Sequence, residues 1–202
     1  MNRKRYFLLI GVLLLGLLLV AGWCWRFSSL NRFYWDISKQ KIAVYGTHEM
    51  VWFEDDYLEK DLQADGYGIR VDNFSIESYQ EYMNANNYPI PEGEKPPQRI
   101  ALVTVTLYNE NSTANGVMLP ELMLHGIDSY SNVDWDVLYA ANPVLNNKPG
   151  INLKQGSECT LVLPFPLFEK LYNAQTWDNM DDYEFFLRIT FYPTAKDIRL
   201  ER

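Results

Sequence analysis

Nineteen consecutive residues without a charge, Phe7 to Trp25 (FLLIGVLLLGLLLVAGWCW), constrain this chain more than any other feature. As a helix rising about 1.5 Å per residue, the run covers most of a hydrocarbon layer of about 30 Å. A helix buried in a soluble domain breaks its apolar run with polar residues along one face, and here no such face exists. The flanks suit a membrane as well. Asn2-Arg3-Lys4-Arg5 and Tyr6 lie at one end, and Trp23, Trp25, Arg26 and Phe27 at the other, where amphipathic rings favour the headgroup zone. Cys24 follows Trp23 instead of a small residue, which does not fit a lipoprotein signal, and the run is longer than the core of about 7–15 residues in a cleavable signal.

The expected organisation is a basic cytoplasmic tail at 1–5, an uncleaved transmembrane signal anchor at 6–26, a juxtamembrane segment at 27–50 and an extracytoplasmic domain at 51–202. Basic residues are nearly balanced across the helix, so orientation rests on two tendencies. A first helix leaves its short basic tail in the cytoplasm, and long domains translocate regardless of charge. The expected localisation is the cell membrane, single-pass, with the membrane as a partner through residues 6–26.

The formal net charge of -8 conceals a division. The first 26 residues hold Arg3, Lys4, Arg5 and Arg26 and no acid, which leaves 14 basic against 26 acidic side chains beyond them, a net of -12. Such a domain is repelled by anionic headgroups and lacks the cationic surface that nucleic-acid binding needs. Six Trp, fourteen Tyr and ten Phe exclude intrinsic disorder, and two cysteines exclude a disulfide-stapled scaffold.

Beyond Gly66 the pattern has the period of β-structure. Tyr67, Ile69 and Val71 alternate with Gly68, Arg70 and Asp72, and Ser78-Tyr79-Gln80-Glu81 matches a capping box that starts a short helix. Arg99 to Asn109 (RIALVTVTLYN) predicts the strongest strand, with Ala101, Val103, Val105 and Leu107 on one face. Further strands are expected over Val117 to His125, interrupted at Pro120, over Glu158 to Phe165, over Tyr183 to Tyr192 and over Asp197 to Leu200. Asp128 to Leu145 is ambiguous, because Trp135, Val137 and Tyr139 alternate while Asn142-Pro143 forces an extended end. Short strands between turn-rich loops indicate a mainly β, antiparallel sandwich of immunoglobulin-like type behind a single N-terminal transmembrane helix.

Several of these segments together resemble a known family. Phe53-Glu54-Asp55-Asp56-Tyr57, Gly66 to Val71 followed by Ser78 to Tyr82, the strand ending at Asn109, and Leu153-Lys154-Gln155-Gly156 leading into Leu161 to Phe165 are similar to the bacterial domain of unknown function 5028. The resemblance covers most of the chain from about Val51 and implies a cell-surface β-sandwich of Gram-positive bacteria; it carries over no functional residue.

Candidate chemistry is sparse. Cys159 falls in register with Leu161 and Leu163, which suits a buried thiol better than a nucleophile served by His125. His125 with Asp128 and Ser129 has the residue types of a triad but no nucleophile-elbow glycines. His48 and His125 are too few for a multi-histidine metal site. Asp178, Asp181, Asp182 and Glu184, or Asp134 with Asp136, offer hard oxygens for calcium without an EF-hand pattern, and a solvated turn is the simpler reading. Trp52, Trp135 and Trp177 lie beside acids and invite a carbohydrate-stacking reading, against plugging of the sandwich ends.

The resulting expectation is a non-catalytic binding or structural module with a protein or envelope-polymer partner and with no catalytic, cofactor-binding or metal residue assigned. The alternatives are an envelope hydrolase with an atypical site near His125, and a calcium-dependent adhesion module.

Overall fold

The uncharged run forms one helix, α1 (Arg3–Leu30). Its 28 residues extend about 42 Å at 1.5 Å per residue, longer at both ends than the expected 6–26. Nothing at Phe27-Ser28-Ser29-Leu30 breaks a helix, so the backbone ladder continues past Arg26. From Ile10 to Leu30 the side chains are exposed on every face, and Trp23 stacks on Phe27 with ring centroids 5.3 Å apart. The computed structural model describes residues 3–30, 41–90, 95–113, 116–126 and 129–202. It divides into two units, 1–40 and 41–202.

The second unit is a mainly β sandwich of two sheets. One has the order β2 (Val51–Trp52), β3 (Tyr67–Ser78), β4 (Arg99–Asn109) and β9 (Ser157–Leu167). Strand β4 lies at its centre because its β-branched alternation presents Ala101, Val103, Val105 and Leu107 as one fully buried row. Tyr67, Ile69 and Val71 of β3 and Leu161, Leu163 and Phe165 of β9 extend that row on either side. Between Val71 and Asn73 the register with β4 shifts by one residue. The bulge changes the phase of β3, so Phe74 opposite Val103 continues the inner face. The extra residue, Asp72, accepts hydrogen bonds from Arg70 Nε (2.6 Å) and Thr106 Oγ1 (2.5 Å). Ser78 caps α2 (Tyr79–Asn86) as the capping box predicts, accepting from Glu81 N.

The second sheet has the order β1 (Lys41–Tyr45), β11 (Thr194–Leu200), β10 (Phe185–Thr190), β6 (Met123–His125) and β7 (Tyr130–Asn132). Phe185, Leu187, Ile189, Leu124, Ile198 and Leu200 turn inward and join the first sheet's row in a single core. A short ribbon, β5 (Val117–Met118) with β8 (Gly150–Ile151), lies apart from both sheets. Pro120, inside a 3-10 turn at Leu119–Glu121, interrupts the expected strand and separates β5 from β6.

Strand β1 brings two corrections. It pairs with β11 in parallel, from Lys41 opposite Thr194 to Tyr45 opposite Ile198, so the sandwich is not wholly antiparallel. It also places residues 41–45 in the same compact unit as the rest of the sandwich, ahead of the start at residue 51 that the sequence suggests. Its most apolar residues, Ile42 and Val44, are 61% and 53% exposed, so β1 lacks the inward apolar alternation that marks a strand in sequence.

The ambiguous stretch is resolved too: Tyr130–Asn132 is β7, and Trp135–Ala141 is a helix, α3. Asp134 caps α3 by accepting from Val137 N at 3.1 Å, and Val137 and Leu138 are buried. Asn142 then closes the outer edge of β9. Its side chain donates to Val162 O (2.7 Å) and accepts from Val162 N (2.8 Å), as a neighbouring strand would. Pro164 and Pro166 complete the protection, since neither has an N–H to offer along that edge.

Candidate functional site

Three adjacent strands build a row of rings on the outward side of the five-stranded sheet. His125 lies directly opposite Phe186 of β10 and Tyr130 of β7. The imidazole stacks on both, with centroids 5.3 Å and 5.5 Å away. Its Nε2 is buried and lies 3.2 Å from Asp197 Oδ2 without meeting hydrogen-bond geometry, so the contact is electrostatic. Asp197 itself faces Arg188 across the β10–β11 ladder, and two bonds of 2.8 Å, from Nε and from Nη2, close a bidentate pair. Arg188 also sits 5.2 Å over the Phe191 ring. Burial works to raise the Asp197 pKa, but His125 and the paired Arg188 bonds outweigh it and hold the carboxyl below its usual range. On Arg188 the bonds it donates to Asp197 prevail over burial and push the pKa further up.

The expected neighbours of His125 stand elsewhere or outside view. Asp128 lies outside the described residues. Ser129 engages the Tyr172 hydroxyl, whose pKa burial raises and this bond partly lowers. Cys159 belongs to the other sheet, opposite Leu107, and burial pushes its thiol pKa up. The carboxylate partner of His125 is thus Asp197, contributed by the last strand, and no local spacing announces it.

A second cluster joins the start and end of the domain. The Lys196 ammonium, on a side chain 3% exposed, donates to Trp52 O (2.7 Å), Phe53 O (3.2 Å) and Glu54 Oε2 (2.6 Å) and lies 2.8 Å from Asp56 Oδ2. Asp56 Oδ1 accepts the backbone N–H of Thr194 at 2.8 Å. Burial alone lowers the Lys196 pKa, and the two carboxylates reverse this and raise it. Glu54 adopts a left-handed backbone (φ 53°), which turns its carboxylate back toward Lys196. Three consecutive acids, Glu54-Asp55-Asp56, suggest a solvated turn, but Asp56 is 7% exposed and ion-paired.

Beside this cluster is a shallow depression of about 300 Å³ lined by Trp52, Glu54, Asp65, Gly66, Glu110 and Asn111. Gly66 holds φ +80°, and a Cβ there would come within 2.8 Å of Ser112 N, so only glycine fits the wall. Trp52 makes an edge contact with Tyr108 at 6.1 Å. Of the other tryptophans, Trp177 is buried beneath the Arg99 guanidinium, which lies 4.7 Å from its ring, whereas Trp135 is exposed and leans on Tyr139.

Two acids of the turn near the end pair with arginines: Asp181 with Arg202, and Glu184, 3.7 Å from Arg199. Met180 within it is fully buried, so it is a packed 3-10 turn. Among the described residues no group of three or more His, Cys, Asp or Glu is placed to hold a metal ion.

No curated protein matches the sequence. Among solved structures, an uncharacterized beta-sandwich protein from Clostridium difficile 630 is similar at 8% identity and a TM-score of 0.40, over 80% of this chain and 96% of that one. The family model for a domain of unknown function, DUF5028, matches residues 42–196, from the second residue of β1 to the buried Lys196. With the greater part of its length inside that match, the chain belongs to the DUF5028 family.

Proposed function

We propose that this protein is a membrane-anchored, extracytoplasmic, immunoglobulin-like module with a non-catalytic binding or structural role at the cell surface. The observation that carries the reading is α1, apolar on every face over a length sufficient for a bilayer and joined in the chain to a separate β-sandwich unit. The strongly acidic character of that unit supports a domain that stands off anionic headgroups. A non-catalytic role is supported by His125, whose imidazole is stacked between two rings and whose buried Nε2 faces the Arg188-paired Asp197. A protein or an envelope polymer is the partner this role requires.

Protease treatment of wall-stripped intact cells carrying a C-terminal epitope tests the topology. Loss of the epitope with α1 left in the membrane fraction is expected; protection of the epitope overturns the reading. Proximity labelling from the same C-terminus then names the neighbours.

A further inference from the structure

We infer that Lys196 and Asp56 condense into an intramolecular amide cross-link, with Glu54 carrying the protons. The inference rests on the geometry of the buried cluster and holds whichever side of a membrane the domain occupies.

Each component of such a condensation is in place. The nucleophile, Lys196 Nζ, touches the carboxyl it would attack, 2.8 Å from Asp56 Oδ2, and the two side chains are only 3% and 9% exposed. Permanent contact of this kind replaces a bimolecular encounter and supplies a very high effective concentration. Glu54 Oε2, 2.6 Å from the same nitrogen, is the proton carrier, and its 70% exposure lets it exchange with solvent. The N–H of Thr194 on Asp56 Oδ1 is a fixed donor at the oxygen on which negative charge collects. The carbonyls of Trp52 and Phe53 hold the amine in position.

The ammonium is the resting form, and the reaction leaves it by proton transfer within the cluster. One proton passes from Nζ through Glu54 to Asp56 Oδ2, giving a neutral amine, the nucleophilic form, and a neutral carboxylic acid. The amine lone pair attacks Asp56 Cγ and forms the Nζ–Cγ bond, with the charge on Oδ1 facing Thr194 N–H. A second proton moves from Nζ through Glu54 to the Oδ2 hydroxyl, the Cγ–Oδ2 bond breaks, and that oxygen leaves as water. Two of the three ammonium protons depart in the water and one stays on the amide nitrogen; Glu54 ends as it began, and no oxidant or reductant takes part. The product joins the segment after β2, in the four-stranded sheet, to β11 in the five-stranded sheet, and so ties the two layers covalently.

Full-length protein in detergent, digested with trypsin under denaturing conditions and analysed by mass spectrometry, decides the matter. The expected result is a branched peptide that joins the Asp56 and Lys196 segments, is lighter than their sum by one water, and is uncleaved after Lys196. Lys196→Arg and Asp56→Ala abolish the branched peptide. Glu54→Gln, at an exposed side chain that leaves the core untouched, slows its appearance by about a hundredfold, the lower range of general acid–base catalysis. Two linear peptides of full mass from the wild-type chain after days at neutral pH overturn the inference. Linkage in Glu54→Gln as fast as in the wild type overturns the role given to Glu54.

Discussion

Replacing Asp197 by Asn tests whether the His125 cluster belongs to the fold or to chemistry. Asp197 accepts two 2.8 Å bonds from Arg188 and has His125 Nε2 at 3.2 Å, with side-chain exposures of 5%, 11% and 15% respectively. Asparagine keeps the shape, removes the charge, and points an NH2 group at one of the donors it must face. Removing one partner of a buried ion pair costs about 3–5 kcal/mol, because the other charge remains desolvated. For a domain of this size, each kcal/mol moves Tm by about 2–4 °C, so a fall of roughly 10 °C is expected by calorimetry. The cost also has a defined pH dependence. The Asp197 pKa is lowered in the folded state, so the unfolded chain takes up more protons as pH falls through the carboxylate range. The contribution is complete above the unfolded pKa of about 3.9 and is lost as pH drops toward the lower folded value. Wild-type and Asp197→Asn stabilities therefore converge in acid and differ by a constant amount above about pH 5. A catalytic cluster behaves in the opposite way, since active-site residues are held against stability and their replacement often stabilises. An unchanged or higher Tm for Asp197→Asn at neutral pH refutes the structural role.

Asn142→Ala removes both bonds to Val162 and leaves that backbone N–H and C=O unpaired at the edge of β9. A loss of about 3 kcal/mol in urea unfolding is expected, with association through the opened edge at high concentration; a change below about 0.5 kcal/mol contradicts the edge-closing role. The Cys159 thiol, its pKa raised by burial, reacts with iodoacetamide at pH 8 about tenfold more slowly in the folded protein than in denaturant. Peptide mapping reads this, and equal rates in both states contradict the burial of the thiol.

The most regular elements are legible in the sequence. Strand β4 runs from Arg99 to Asn109 as its alternation predicts, and Ser78 caps α2. Both depend on neighbours a few residues apart, where side-chain period and capping chemistry act locally. Strand β1 escaped because its most apolar residues, Ile42 and Val44, point outward, and its pairing with β11 joins the two ends of the domain. The partner of His125 escaped for a related reason. Sequence proximity favours Asp128, whereas the register of β10 and β11 brings up Asp197.

What the sequence alone determined is what a short stretch of chain settles for itself: a helix with no polar face, strands whose inward residues alternate, and an excess of acid beyond residue 26. Only the tertiary structure decided which acids are surface and which are buried partners. Hydrophobic burial is non-directional and is encoded by period, but an ion pair is specified by register and sheet order. That is why Asp56 and Lys196, near opposite ends of the domain, meet at 2.8 Å, while Asp181 nearby in sequence to Asp178 and Asp182 turns instead to Arg202.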